Sequence, residues 1–153
     1  MEKNMSESHA ANPVKAPWHL WVIGIVGTLW NAMGAMDYVM TKLQVESYMA
    51  AFTPEQLEFF YGFPIWVNAA WATAVWASVI GTILLLLRKS SAVWVLLVSF
   101  LAMIVTTIHN YGLSNGLEVV GDTFSLVFTS IIFLVGLGLY LYAKAMQKKG
   151  VLK

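Results

Sequence analysis

GTILLLLRKSSAVWVLLVSF, residues 81–100, is the stretch that decides the fold. Two apolar runs meet at Arg88-Lys89-Ser90-Ser91, a connection short enough to make the flanking segments antiparallel neighbours. Followed outward, these runs extend back to Pro64 and forward to Leu113, each longer than the ~20 residues that cross ~30 Å of hydrocarbon. Two further runs of this kind complete a set of four: residues 18–40, 64–87, 92–113 and 123–143. With 59% hydrophobic and only 11% charged residues, the chain is too apolar for a small water-facing domain, so lipid must cover much of it. The fold class expected is all-α, a four-transmembrane-helix bundle occupying residues 18–146. A disordered, proline-bearing tail is expected over 1–17, and a basic tail over 147–153.

The charges orient this bundle. Lys3, Lys15, Arg88, Lys89, Lys144, Lys148, Lys149 and Lys153 fall on one side of the four runs, and Lys42 alone on the other. By the positive-inside rule both termini are cytoplasmic and the membrane is crossed four times. The flanking lysines suit anionic lipid heads and form no stripe for nucleic acid. The first run is longer than a signal-peptide core and carries Trp30 and Asn31 within it, so it is read as a span. There is no cysteine, which excludes disulfides and thiolate-held metals.

The outer connections differ in length. Ser114 to Asp122 is short and broken by Gly116 and Gly121, whereas Thr41 to Phe63 has room for structure. In the longer one, Thr53-Pro54-Glu55-Gln56 reads as a capping box with proline at the first helical position, and Gly62 as a stop. A short helix over residues 54–61 follows, with Leu57, Phe59, Phe60 and Tyr61 suited to the membrane surface and Glu55 and Glu58 opposed. Tyr48, Met49 and Phe52 repeat at helical spacing, as a continuation of the first span or as a second surface helix.

Polar and small residues fall on stripes within the spans. Asn31 shares a face with Gly24, Gly27, Gly34 and Tyr38, and comparable faces carry Asn68 and Ser78, Ser99 and Thr106, and Ser125 and Thr129. These faces should turn inward and hydrogen-bond between helices. A second stripe, Ala69, Thr73, Ala77 and Gly81, offers a close-packing surface for another helix of the chain or for a second copy in a homo-oligomer.

Depth then places the ionisable groups. At 1.5 Å per residue, Asp37 lies about 28 Å from the inner end of its span and His109 about 27 Å, both near the outer boundary. Asn68, Tyr38, Asn110 and Asp122 fall close to the same level, and Trp66 lies near it with a ring that suits stacking or an interfacial belt. Together with the deeper Asn31, these eight residues are the expected lining of a shallow, outward-facing polar pocket. If Asp37 and His109 meet, the carboxylate holds the imidazole in one tautomer. Interfacial capping and packing are the competing roles. His19, at the opposite end, cannot join His109 on one haem iron; no metal-ligand spacing or catalytic constellation is present, and no cofactor is implied.

The stretches Leu29-Trp30-Asn31, Gly34-Ala35-Met36-Asp37-Tyr38 with Thr41, Pro64-Ile65-Trp66 with Trp71-Ala72, and Gly81 through Leu84-Leu85-Leu86-Leu87-Arg88 carry a resemblance. Through them the chain resembles a family of small, largely uncharacterised four-span bacterial membrane proteins, some labelled sugar transporter by automated transfer. The resemblance implies a bacterial inner-membrane location and gives Asn31, Asp37, Pro64 and Trp66 an interest beyond hydropathy. The function expected is therefore an accessory or small-molecule- or lipid-binding membrane protein that is not an enzyme. The alternative is a homo-oligomeric transporter of a small polar solute such as a sugar, although no charge sits at the membrane midplane to couple transport.

Overall fold

The computed structural model describes residues 14–153, which fold into helices joined by short connections. In chain order these are α1 (Trp18–Lys42), α2 (Glu46–Met49), α3 (Pro54–Tyr61), α4 (Ile65–Leu86), α5 (Ser91–Ile108), α6 (Gly116–Val119) and α7 (Thr123–Lys148), with a π turn over His109–Leu113 prolonging α5. Among the described residues α1, α4, α5 with its π turn, and α7 are long and apolar enough to cross a membrane, so the all-α four-helix bundle stands. Of the tail expected over residues 1–17, residues 1–13 lie outside the described residues.

α4 packs along α5, α1 lies against α4, and α7 lies against α5. The start of α1, the α4–α5 turn and the end of α7 share one end of the bundle, the terminal end; the longer connections share the other, the loop end. The polar stripes work as interhelical ties. Ser99 Oγ donates to the Ala74 carbonyl at 2.6 Å, joining α5 to α4, and Asn31 Nδ2 donates to the Ser78 carbonyl at 3.3 Å, joining α1 to α4. Tyr111 and Thr129 share a 3.2 Å hydrogen bond between the π turn and α7, and His19 and Tyr142 one of 2.5 Å between α1 and α7. Each tie gives a hydroxyl or amide a partner that hydrocarbon does not supply.

Within the small-residue stripe of α4, Gly81 is buried, and a β-carbon there would come within 2.6 Å of Leu96 on α5. Ala69 and Thr73, nearer the loop end, stay exposed. The stripe thus serves the chain's own α5 at one end and is uncovered at the other.

The buried core, Leu20, Leu85, Ala92, Val93, Leu96, Leu139, Ala143 and Met146 with Val151 and Leu152, is concentrated at the terminal end. α7 runs past the expected span boundary to Lys148, and Gly150, at φ +70, turns the chain back. Glycine adopts that left-handed conformation without the steric cost a β-carbon brings. The reversal carries Val151 and Leu152 into the core, so part of the expected basic tail is a plug. Arg88 receives it. This residue sits in the left-handed region at φ 57, its carbonyl accepts the Lys153 N–H at 2.8 Å, and the Ser90 N–H returns a 2.8 Å bond to the Lys153 carbonyl. Its guanidinium donates to the carbonyls of Val151 at 3.1 Å and Val14 at 2.7 Å. One side chain therefore ties together the segment before α1, the α4–α5 turn and the segment after α7, offsetting the ~1–2 kcal/mol that a non-glycine left-handed residue costs.

Toward the loop end the packing loosens. Phe124, Val127, Phe128 and Leu134 of α7 are exposed, as are Leu29, Met33 and Met36 of α1, and lipid is the natural cover for such surfaces. Leu152→Ala should accordingly lower the thermal unfolding midpoint in detergent by several degrees, a loss of about 2–4 kcal/mol from the emptied core position. Leu134→Ala, on the exposed face, should leave the midpoint nearly unchanged. Equal shifts in the two variants would show that Leu152 is not plugged.

Candidate functional site at the loop end

α1 ends in a left-handed residue, Gln44 at φ 51, and the Val45 N–H closes back on the Met40 carbonyl at 3.1 Å. The reversal throws α2 beside the last turns of α1, and the phenol of Tyr48 donates to Asp37 Oδ1 at 2.6 Å. The helical spacing of Tyr48, Met49 and Phe52 thus belongs to a second short helix. Thr53 and Gln56 form the reciprocal capping box, Gln56 N–H to Thr53 Oγ1 at 3.3 Å and Thr53 N–H to Gln56 Oε1 at 3.1 Å, and α3 spans the expected residues. Rather than splaying outward, α3 packs across the bundle end against α6. Phe59 and Phe60 join Phe52 and Phe63 in an edge-to-face aromatic cluster with ring centroids 5.1–6.0 Å apart.

That cluster continues inward. Phe63 meets Trp71 at 6.0 Å and His109 at 5.6 Å, Tyr38 meets Trp71 at 5.0 Å, and Trp66 meets His109 at 5.3 Å, all edge to face. Lys42, the lone basic residue of its side, donates to Asn68 Oδ1 and lies 5.5 Å over the Trp71 ring. Asn68 in turn donates through Nδ2 to the Phe63 carbonyl at 2.8 Å, fixing the strand of chain that enters α4.

His109 is the centre of what remains. The π turn starts here, a rare geometry found often at functional sites, and Ser114 hooks back to satisfy the widened turn by donating to the His109 and Asn110 carbonyls, each at 2.9 Å. Only 8% of His109 is exposed. Its Nδ1 lies 3.1 Å from Asn110 Oδ1, and since an amide oxygen only accepts, Nδ1 is the donor there; in the neutral ring Nε2 is then the acceptor. No side-chain nitrogen or oxygen among the described residues is both sealed and unpartnered, and Nε2 has no hydrogen-bond partner among them, so it is accessible, and His109 lines a groove. This groove, about 550 Å³, runs between α3, the start of α4 and the segment after the π turn, and is lined also by Glu55, Glu58, Phe59, Phe63, Ser114 and Asn115.

The eight expected residues therefore separate into different settings. His109 lines the groove, with Asn110 orienting its ring and Trp66 and, through Phe63, Asn68 buttressing it. Asp37 belongs to the Tyr48 pair, Tyr38 to Trp71, and Asn31 to the α1–α4 tie. Asp122 is exposed and caps α7, accepting from the Ser125 N–H at 3.1 Å and the Ser125 hydroxyl at 2.5 Å, which holds its carboxyl below the usual carboxylate range. Asp37 and His109 have separate partners. Glu55, Glu58, Ser114 and Asn115 were not among the expected site residues. The two glutamates read from sequence as the water face of a surface helix, and only the folding of that helix over the bundle end brings them to His109. Among the described residues no three His or carboxylate side chains gather as a metal site requires.

Comparisons with protein-family models, with curated proteins and with solved structures find no match for the chain.

Burial, the hydrogen bond to Asp37 and the charge of that carboxylate push the Tyr48 phenol up to about 12 from an ordinary 10.0. A raised folded-state value means that the contribution of Tyr48 to stability is complete below pH 10 and lost as pH climbs toward 12. Tyr48→Phe should remove this component, so that the stability curves of variant and parent converge between those limits. The same variant should cost about 1–3 kcal/mol at neutral pH by leaving Asp37 without its donor. Curves that superimpose at all pH values would discount the pair.

Proposed function

We propose that this chain is a multi-pass protein of the bacterial inner membrane, with both termini in the cytoplasm, that binds a small molecule or lipid headgroup in the His109 groove without transforming it. The observation that carries this reading is the groove itself: a cavity of about 550 Å³ at one end of the bundle, with a nearly buried imidazole in its wall whose Nε2 has no hydrogen-bond partner among the described residues. Orientation rests on the eight-to-one division of basic residues, which puts the terminal end inside and the groove outside. The inner-membrane assignment leans in addition on the resemblance to small four-span bacterial proteins.

Binding is preferred to catalysis because the groups that would react are already engaged. The Ser114 hydroxyl spends its proton on two backbone carbonyls, so His109 has no hydroxyl to activate. Asp37, the carboxylate that would orient the imidazole, is held by Tyr48 instead.

The absence of cysteine makes the test direct. Single cysteines at Glu58 and at Lys149 are introduced separately, and intact cells are treated with a membrane-impermeant maleimide. Glu58→Cys should label at once and Lys149→Cys only after permeabilisation; the reverse pattern would sink the orientation. In the purified protein, a bulky maleimide at Glu58→Cys should abolish any ligand-induced rise in unfolding temperature found by screening polar solutes and lipids. A ligand response that survives the modification places binding elsewhere.

A further inference from the structure

The hydrogen-bonding capacity of the groove is one-sided. With Nδ1 donating toward Asn110, the neutral ring of His109 has its lone pair on Nε2. Ser114 Oγ has spent its donor on the backbone and presents only lone pairs. Glu55 and Glu58, exposed on consecutive turns of α3, are acceptors when ionised. Among the described residues that line the groove Asn115 alone offers a side-chain donor, and none is a lysine or arginine. Lys42, the basic residue of this end, is engaged by Asn68 and Trp71 and is not part of the lining. Phe59 and Phe63 complete the wall with aromatic surface.

Four groups that accept, two of them carrying negative charge, leave a carboxylate or phosphate with too few donors. Anions meet Glu55 and Glu58 as like charges, and a neutral sugar, whose hydroxyls can donate to the lining, brings no positive charge to complement the two carboxylates. A primary ammonium satisfies the set. It brings three N–H donors to carboxylate, imidazole and hydroxyl lone pairs, its charge is complementary, and an apolar body attached to it meets the Phe59 and Phe63 rings. A quaternary ammonium supplies the charge without the donors.

From this we infer that the groove selects a ligand with a primary ammonium group on an apolar body, either a free organic amine or the headgroup of an aminophospholipid. The inference rests on the groove being a binding site, as proposed above, and adds the chemical class of its occupant. The groove lies at the bundle end, and Ile65 and Leu113, next in the chain to its lining residues Pro64 and Ser114, are exposed apolar side chains, which gives both sources access.

The full chain is purified in detergent and in nanodiscs of phosphatidylcholine alone or mixed with phosphatidylethanolamine. Phenethylamine, its neutral counterpart phenethyl alcohol and the anion phenylpropionate are titrated against the unfolding temperature and the tryptophan fluorescence, compared with that of Trp66→Phe to isolate the ring that abuts His109. Phenethylamine should give a saturable response and the other two none. The E55Q/E58Q variant, altered only at exposed positions, should bind the amine about tenfold more weakly, the equivalent of one charge-assisted hydrogen bond. If the lipid is the occupant, phosphatidylethanolamine nanodiscs stabilise the protein and abolish the phenethylamine response; if a free amine is, the response is the same in both nanodiscs. Equal binding of the alcohol or anion, lost in His109→Ala, would overturn the ammonium class while leaving the groove a binding site. An unchanged affinity in E55Q/E58Q also overturns the class, and no response to any probe in any membrane overturns both readings.

Discussion

A backbone or side-chain polar group placed in hydrocarbon has no water to turn to, and the consequences of that constraint run through the whole molecule. It makes each crossing segment a helix, and it sends each hydroxyl or amide within a helix to a carbonyl of its own turn or of a neighbour. Ser99 on Ala74, Asn31 on Ser78 and Thr82 on Ser78 are three instances, and the first two set the distance between helices. Where small residues coincide with such ties the backbones close up, as at Gly81 beneath Leu96. Between lipid and protein there is little hydrophobic difference to exploit, so these contacts, rather than burial from water, decide which helices are neighbours.

The two ends of the bundle answer the constraint differently. At the terminal end the chain supplies its own closure: Gly150 reverses α7, Val151 and Leu152 fill the core, and Arg88 ties three segments through three hydrogen bonds to backbone groups. At the loop end the short helices α2, α3 and α6 pack on the bundle without closing it. What is left uncovered is the groove at His109. A tightly closed end that holds the four helices in register permits an open one, because the register of His109 against Phe63 and Trp66 is inherited from packing tens of ångströms along the same helices.

Much of this was legible along the chain. The spans, the antiparallel turn at Arg88 and the bounds of α3 follow from hydropathy, loop length and a capping box, all of which act over neighbouring residues. The shared level of Asp37 and His109 follows from rise per residue alone. Their partners do not follow. Whether Asp37 meets His109 or Tyr48 depends on the direction the chain takes after Lys42, which a single left-handed residue at Gln44 sets, and nothing in the side chain of glutamine announces that conformation. Likewise Glu55 and Glu58 belong to the groove because α3 folds inward on Phe59, and the same amphipathic pattern suits a helix lying on the membrane.

The sequence by itself determined how many times this chain can cross a membrane, where each crossing starts, and how its charges divide between the two ends, because these properties add up residue by residue. Tertiary structure decided that the last residues plug the bundle, that the lone lysine of the loop end is spent on Asn68 and Trp71, and that His109 faces a groove of acceptors without Asp37. Those outcomes hang on chain reversals at Gln44, Arg88 and Gly150, where a rotation about one or two bonds redirects everything that follows.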